Sequence, residues 1–332
     1  MQDDSGLNME LVVHGENADR TLTAAATAGL CNRLRVLLSG MALAEATGRR
    51  FTMLWPRTEA CSAAFDELFA LPWPVLEAAR LEVEALERWD QRKRLTLDLL
   101  TADTPDIRIQ TSSWLIVPSR FLAHRGLKQR SAELLASMQP IAAIQARIDA
   151  FQNSRFQRPM IGVHLRRADL RFLYPSSTTN TTSAMTAVDA YLDQSPDAGV
   201  LLCTDDGAAH QDSGQALPAE GVHAKFVRRY GGRVVWTRPR SLDRREPGAI
   251  QDALVDLWLL RRTDYFVGTV GSSFSGMAAV GRSIPHTMCR SEHPLRHVLP
   301  LRYWLHGQYS LRRLMSYYWN LIHPRGARRN TP

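Results

Sequence analysis

Apolar and polar positions alternate along the segment Ile161-Gly162-Val163-His164-Leu165, which predicts a strand. The strand runs straight into a polar cluster, Arg166-Arg167-Ala168-Asp169. The same change from apolar run to polar cluster recurs downstream. Strands are predicted at 199–203, 265–267 and 284–288, and a helix at 249–262. Further helical pieces are expected at 184–193 and 275–280, and extended runs at 224–228 and 234–237. Strand and helix alternate, which implies a parallel sheet covered by helices on both faces.

The first half carries a shorter version of this pattern. A strand at 22–27 leads into Gly29-Leu30-Cys31-Asn32-Arg33. Leu34, Leu37, Leu38 and Met41 then share one helical face, and Gly48 suits a helix C-cap. A second strand at 51–55 is stopped by Pro56, completing one βαβ unit. Beyond it, helices are expected at 63–69 and 75–89, and short strands at 107–110 and 114–117. A helical stretch at 131–151 is interrupted by Pro140, and the polar run 152–159 reads as a linker. The expected organisation is therefore an α/β protein with domains at 1–155 and 156–300, followed by a tail at 301–332.

Composition changes this picture little; charge changes it more. The chain has 332 residues, 45% of them hydrophobic and 22% charged, as in an ordinary globular protein. Net charge is +8, but seven arginines and no acid lie from Arg296 onward, leaving the first 295 residues at +1. A nucleic-acid binder would more typically spread its positive charge over a domain face. The four cysteines, Cys31, Cys61, Cys203 and Cys289, form no CxxC pair and give neither a zinc signature nor a disulfide framework. No apolar run approaches the roughly 20 residues that span a bilayer. The acidic start, Met1-Gln2-Asp3-Asp4, lacks a signal-peptide core, so the expected location is the cytoplasm. In the tail, Tyr303, Trp304, Tyr309, Tyr317, Tyr318 and Trp319 alternate with Arg302, Arg312 and Arg313. Such a segment suits either the inner face of a membrane or packing back across the first domain.

The candidate chemistry sits at predicted strand ends, where ligands of open α/β sheets bind. Arginine's planar fork suits phosphate, so Arg166 and Arg167 read as a diphosphate grip; a solvated strand end paired with Asp169 explains the same residues. After strand 199–203 come Thr204-Asp205-Asp206, where a carboxylate can bind a ligand or cap the next helix. Asp252 and Asp256 lie four apart on one helical face, and a solvent-facing position fits Asp252 better. Asp256 is embedded in Leu254-Val255-Asp256-Leu257-Trp258 and needs a partner if buried. A carboxylate there could accept from the N1–H and N2–H edge of guanine. In Gly268-Thr269-Val270-Gly271-Ser272-Ser273, backbone N–H and hydroxyl groups suit phosphate oxygens, or simply cap a helix.

These stretches resemble a known family. His164-Leu165-Arg166-Arg167-Ala168-Asp169 is similar to the HxRRxD motif of the GDP-fucose fucosyltransferase superfamily. Thr204-Asp205-Asp206 and the span from Asp256 to Phe274 resemble the later motifs of its α1,6-fucosyltransferases, and Gly29 to Leu34 the first glycine turn of related enzymes. The resemblance implies a GT-B-like fold, with two Rossmann-like domains facing across a cleft. It also implies inverting transfer of L-fucose from GDP-fucose without a metal or other cofactor. Arg166, Arg167 and Asp169 would then be catalytic. Asn32, His164, Asp205, Asp256, Ser272 and Ser273 would bind the donor. The acceptor would be a glycan, glycolipid or protein. One position departs from the pattern: Tyr174 stands where the α1,6 enzymes place an acid, so no general base is assigned. Transfer of another nucleotide-linked deoxysugar, or a non-catalytic sugar-nucleotide or glycan-binding role, remains an alternative.

Overall fold

The computed structural model describes residues 20–70, 72–88, 105–116, 123–156, 159–166, 181–206 and 221–289. It contains two five-stranded sheets, all of whose paired strands run parallel. The first uses β1 (Thr21–Ala25), β2 (Arg50–Pro56), β3 (Val75–Ala78), β4 (Glu87–Arg88) and β5 (Asp106–Gln110) in the order β3-β2-β1-β5-β4. Its helices are α1 (Leu30–Ala46), the single turn α2 (Arg80–Glu84), α3 (Ala123–Ser137) and α4 (Ala142–Arg155). The second sheet uses β6 (Met160–Leu165), β7 (Gly199–Thr204), β8 (Val234–Val235), β9 (Tyr265–Thr269) and β10 (His286–Cys289) in the order β10-β9-β6-β7-β8. Its helices are α5 (Thr181–Leu192), α6 (Val222–Tyr230), α7 (Pro247–Arg261) and α8 (Ser273–Ala279). This is the mixed α/β class with two Rossmann-like sheets that the sequence predicts.

Burial explains the strand pattern. Every residue of β6 is buried, as befits the central strand of a sheet covered on both faces. At the C-terminal end of α1, Gly48 adopts φ 61°, the left-handed conformation that ends a helix at little cost to glycine. The two halves share one apolar core. Trp55, Phe65, Phe69 and Trp258 form a chain of ring contacts 5.2–5.6 Å apart, carrying the first half's core onto α7.

Four expected elements differ, each through tertiary packing. Residues 63–69 form turns rather than a helix, because Phe65 and Phe69 are held by the aromatic chain and Phe69 bridges to Pro140. Within 75–88 the chain makes β3, α2 and β4, since Val75–Ala78 pairs along Met53–Pro56 of β2. Residues 111–116 join no strand; the Leu115 N–H donates instead to Ser39 Oγ at 2.8 Å. Residues 224–228 lie within α6, whose Val222, Phe226 and Tyr230 repeat at helical spacing and face the core. The expected linker also shortens, because α4 continues to Arg155. Among the described residues no helix is long and apolar enough to cross a membrane. The tail, with its membrane or packing alternatives, lies outside the described residues.

Candidate functional site

The carboxyl ends of β6 and β7 open onto a cavity of about 570 Å³. Its second-sheet wall comprises the ends of β6 and β7, the loop from Thr237 to Arg245, the inner face of α7 and the start of α8. The opposite wall comes from the first half, through Gly29–Asn32 and the turn at Glu59 and Ala60. Six of the sequence-predicted residues line it together: Asn32, His164, Arg166, Asp205, Asp256 and Ser273.

The end of β6 is fixed to the end of β9. The Arg166 N–H donates to Thr269 Oγ1 at 3.1 Å, and that hydroxyl donates to the His164 carbonyl at 3.0 Å. His164 is buried, stacks on Phe274 with ring centroids 4.6 Å apart, and has its Nδ1 2.6 Å from Ser275 Oγ. Burial, reinforced by the Arg166 charge, drives its pKa down to about 3, so its imidazole is neutral near pH 7.

Asp256 projects from α7 and accepts hydrogen bonds from Thr237 Oγ1 and the Cys203 thiol. Burial pushes its carboxyl up to about 7; the Asp252 charge adds to the rise, while the hydrogen bonds and Arg147 oppose it. Asp252, for which the sequence favoured a solvent-facing position, is 3% exposed. It accepts from Arg147 at 2.5 Å and from the Arg240 guanidinium and backbone N–H, which account for its burial.

The remaining candidates divide. Asp205 lines the cavity, whereas Asp206 accepts the Val222 N–H at 3.2 Å at the start of α6. Ser273 lines the cavity, but the Ser272 hydroxyl caps α8 by accepting the Ser275 N–H, and Ser272 is absent from the lining. Arg167 and Asp169 lie outside the described residues. Among those described, no group of three or more His, Cys, Asp or Glu side chains is arranged to hold a metal.

Sequence reasoning missed several lining residues, namely Glu59, His223, Ser241, Arg244 and Arg245. The loop carrying the last three is tied to the first half, where the Ser62 N–H donates to the Arg244 carbonyl at 3.2 Å. Arg35, Arg166 and Arg244 all act electrostatically on Cys31 at the cavity wall. Burial nevertheless dominates and pushes the Cys31 thiol up to about 12. Only the run of arginines in Arg238 to Arg245 signalled this loop, and it resembles an ordinary solvated segment.

The chain is similar in fold to the fucosyltransferase NodZ. The structure of NodZ alpha-1,6-fucosyltransferase soaked with GDP-fucose aligns with a TM-score of 0.50 and 19% identity, covering 79% of this chain and 92% of that one. The structure of fucosyltransferase NodZ from Bradyrhizobium gives 0.50 and 21%, covering 78% and 92%. POFUT1 in complex with GDP gives 0.48 and 12%, covering 82% and 99%. No family model matches the chain, and no curated protein matches it in sequence.

Proposed function

We propose that the chain is an inverting glycosyltransferase that moves L-fucose from GDP-fucose to a hydroxyl of a glycan or glycoconjugate. The observation that carries this reading is the convergence of Asn32, His164, Arg166, Asp205, Asp256 and Ser273, from separate segments, on one cavity. Its volume of about 570 Å³ is in the range of ligand sites. The motif resemblance and the fold shared with NodZ support the same class.

In this reading Asp256, once ionised, accepts from guanine N1–H and N2–H, and His164 meets the same base. Arg166 and the Ser273 hydroxyl hold the diphosphate. As the sugar–phosphate bond breaks, negative charge grows on the departing GDP, and a fixed guanidinium stabilises it without reorganisation. Arg166 supplies that charge, so transfer is expected to proceed in EDTA. The expected contributions of Arg167 and Asp169 belong to the same proposal.

Calorimetric titration with GDP, UDP and ADP, with 5–10 mM EDTA as an order-of-magnitude excess over trace metal, tests the reading. GDP is expected to bind at least about tenfold tighter than either rival, a difference of about 1.4 kcal/mol. Arg166→Ala is expected to bind GDP weakly and to release none from GDP-fucose, while its circular dichroism and melting stay those of the wild type. Equal affinity for all three nucleotides, or full activity of Arg166→Ala, would overturn it.

A further inference from the structure

An inverting transfer needs a base on the side of the sugar opposite the leaving group, to take the proton of the incoming hydroxyl. The proposed diphosphate contacts, Arg166 and Ser273, belong to the second-sheet wall, so the base should come from the first half. Six described residues of that half line the cavity: Gly29, Leu30, Cys31, Asn32, Glu59 and Ala60. The Cys31 thiol is buried and held protonated, and Asn32 cannot take a proton near neutral pH. Glu59 is the one carboxylate among them.

The local fold builds Glu59 into its place. Thr58 and Cys61 exchange backbone hydrogen bonds of 3.1 and 3.0 Å, closing a tight turn with Glu59 and Ala60 at its tip. The Thr58 hydroxyl accepts from Arg33 at 2.8 Å and donates to the Thr27 carbonyl at 3.2 Å. Arg33 Nε also donates to the Ala28 carbonyl at 2.8 Å, so one buried guanidinium clamps this turn to the Gly29 turn. The side chain of Glu59 is exposed and makes no hydrogen bond or ion pair among the described residues; its charge is felt by Arg80 and by Arg245 of the cavity loop. The other described carboxylates of the cavity stand on the second-sheet wall. Asp256 accepts from Thr237 and Cys203, and Asp243 is held by Arg245 at 2.6 Å.

We infer that Glu59 is the general base of the transfer. This rests on the GDP-sugar reading above. The acceptor oxygen forms a bond to the anomeric carbon while its proton passes to the Glu59 carboxylate. The bond from that carbon to the β-phosphate oxygen breaks, and its electron pair leaves with GDP.

GDP-fucose alone provides the test, with water as acceptor. Glu59→Gln is expected to bind GDP within about twofold of the wild type and to release GDP from GDP-fucose about 100-fold more slowly. Azide has no proton to lose, so adding it to Glu59→Ala is expected to restore GDP release and form fucosyl azide of inverted configuration. A merely structural role for Glu59 would give no such rescue. Release by Glu59→Gln within about threefold of the wild type, or a parallel loss of GDP affinity, overturns the assignment. A wild-type chain that binds GDP but does not speed its release overturns the base alone. One that binds no GDP overturns the nucleotide reading as well.

Discussion

His164 Nδ1 lies 2.6 Å from Ser275 Oγ, and the same Oγ accepts the Thr269 N–H at 2.9 Å. A hydroxyl has one proton to give. The arrangement satisfying all three groups has Ser275 donating to Nδ1, which leaves the imidazole proton on Nε2. His164 is neutral near pH 7, so in the proposed reading Nε2 would meet the nucleotide as a neutral donor suited to guanine O6. Ser275→Ala removes the acceptor of a buried N–H and the partner that sets the tautomer. We expect a loss of about 1–3 kcal/mol in urea unfolding, with GDP affinity down about tenfold, equivalent to about 1.4 kcal/mol. Unchanged GDP affinity would refute the tautomer role.

The proposed role of Asp256 ties GDP binding to pH. Burial pushes its carboxyl up to about 7, in the company of Thr237, Asp252, Arg147 and Cys203. In the proposed reading only the ionised form would accept both guanine donors, so binding would remove a proton below that pH. GDP affinity should therefore rise with pH, by about tenfold between pH 6 and 8 as the ionised fraction grows. The nucleotide's own phosphate also titrates in this window. Asp256→Asn shares that second effect but not the first, so the excess slope of the wild type over the variant isolates the carboxylate. Parallel slopes in calorimetry would sink the assignment. The same group makes stability fall with pH: its protonated folded state is favoured below about 4, and the advantage is lost as pH rises through about 7.

The strand ends of the second half were legible because β6 and β9 are short, apolar and followed at once by Arg166 and Ser272–Ser273. Period-two patterning and glycine turns are local signals. The Val222–Tyr230 helix was misread because Ala224 and Phe226 alternate like a strand over the few residues between Gly221 and Gly231. The helical period is visible only when Val222 and Tyr230 are included. Edge strand β3 was read as part of a helix because its pairing with β2 is a tertiary fact. Glu59 and Arg244 carry no motif. Their place in the cavity depends on the clamp around Arg33 and on the Ser62–Arg244 hydrogen bond, neither of which leaves a spacing in the sequence.

Asp252 supports the cavity from behind. Burial pushes its carboxyl up, but hydrogen bonds from Arg240 and Arg147 outweigh it and hold the group below the usual carboxylate range. The Arg240 backbone N–H, 2.6 Å from Oδ2, begins the loop whose Ser241 to Arg245 line the site. Asp252→Ala leaves Arg147 and Arg240, 41% and 58% exposed, to return to water, so the cost falls short of a fully buried pair. We expect about 2 kcal/mol in urea unfolding and weakened GDP binding as the loop loosens. The wild type should begin to lose this stabilisation as pH falls below about 4, where the unfolded carboxyl takes up its proton, and lose it fully at the lower pH where the folded carboxyl follows. A variant that unfolds like the wild type yet binds GDP normally would remove the strut.

Arg33 carries the heaviest structural load at the site. It is fully buried and donates to the carbonyls of Ala28 and Pro56 and to Thr58 Oγ1, with its guanidinium 5.0 Å from the Trp55 ring centroid. Burial alone depresses its pKa, yet no carboxylate answers the charge among these contacts, so oriented oxygens and the ring face must do so. Lysine brings the same charge as a point, without the planar fork that reaches three acceptors. Arg33→Lys is therefore expected to cost about 3 kcal/mol in urea unfolding. Its surviving folded fraction should retain GDP affinity better than GDP release, because the clamp holds the Glu59 turn rather than the nucleotide wall. Equal losses of binding and release in protein shown to be folded would place Arg33 at the nucleotide instead.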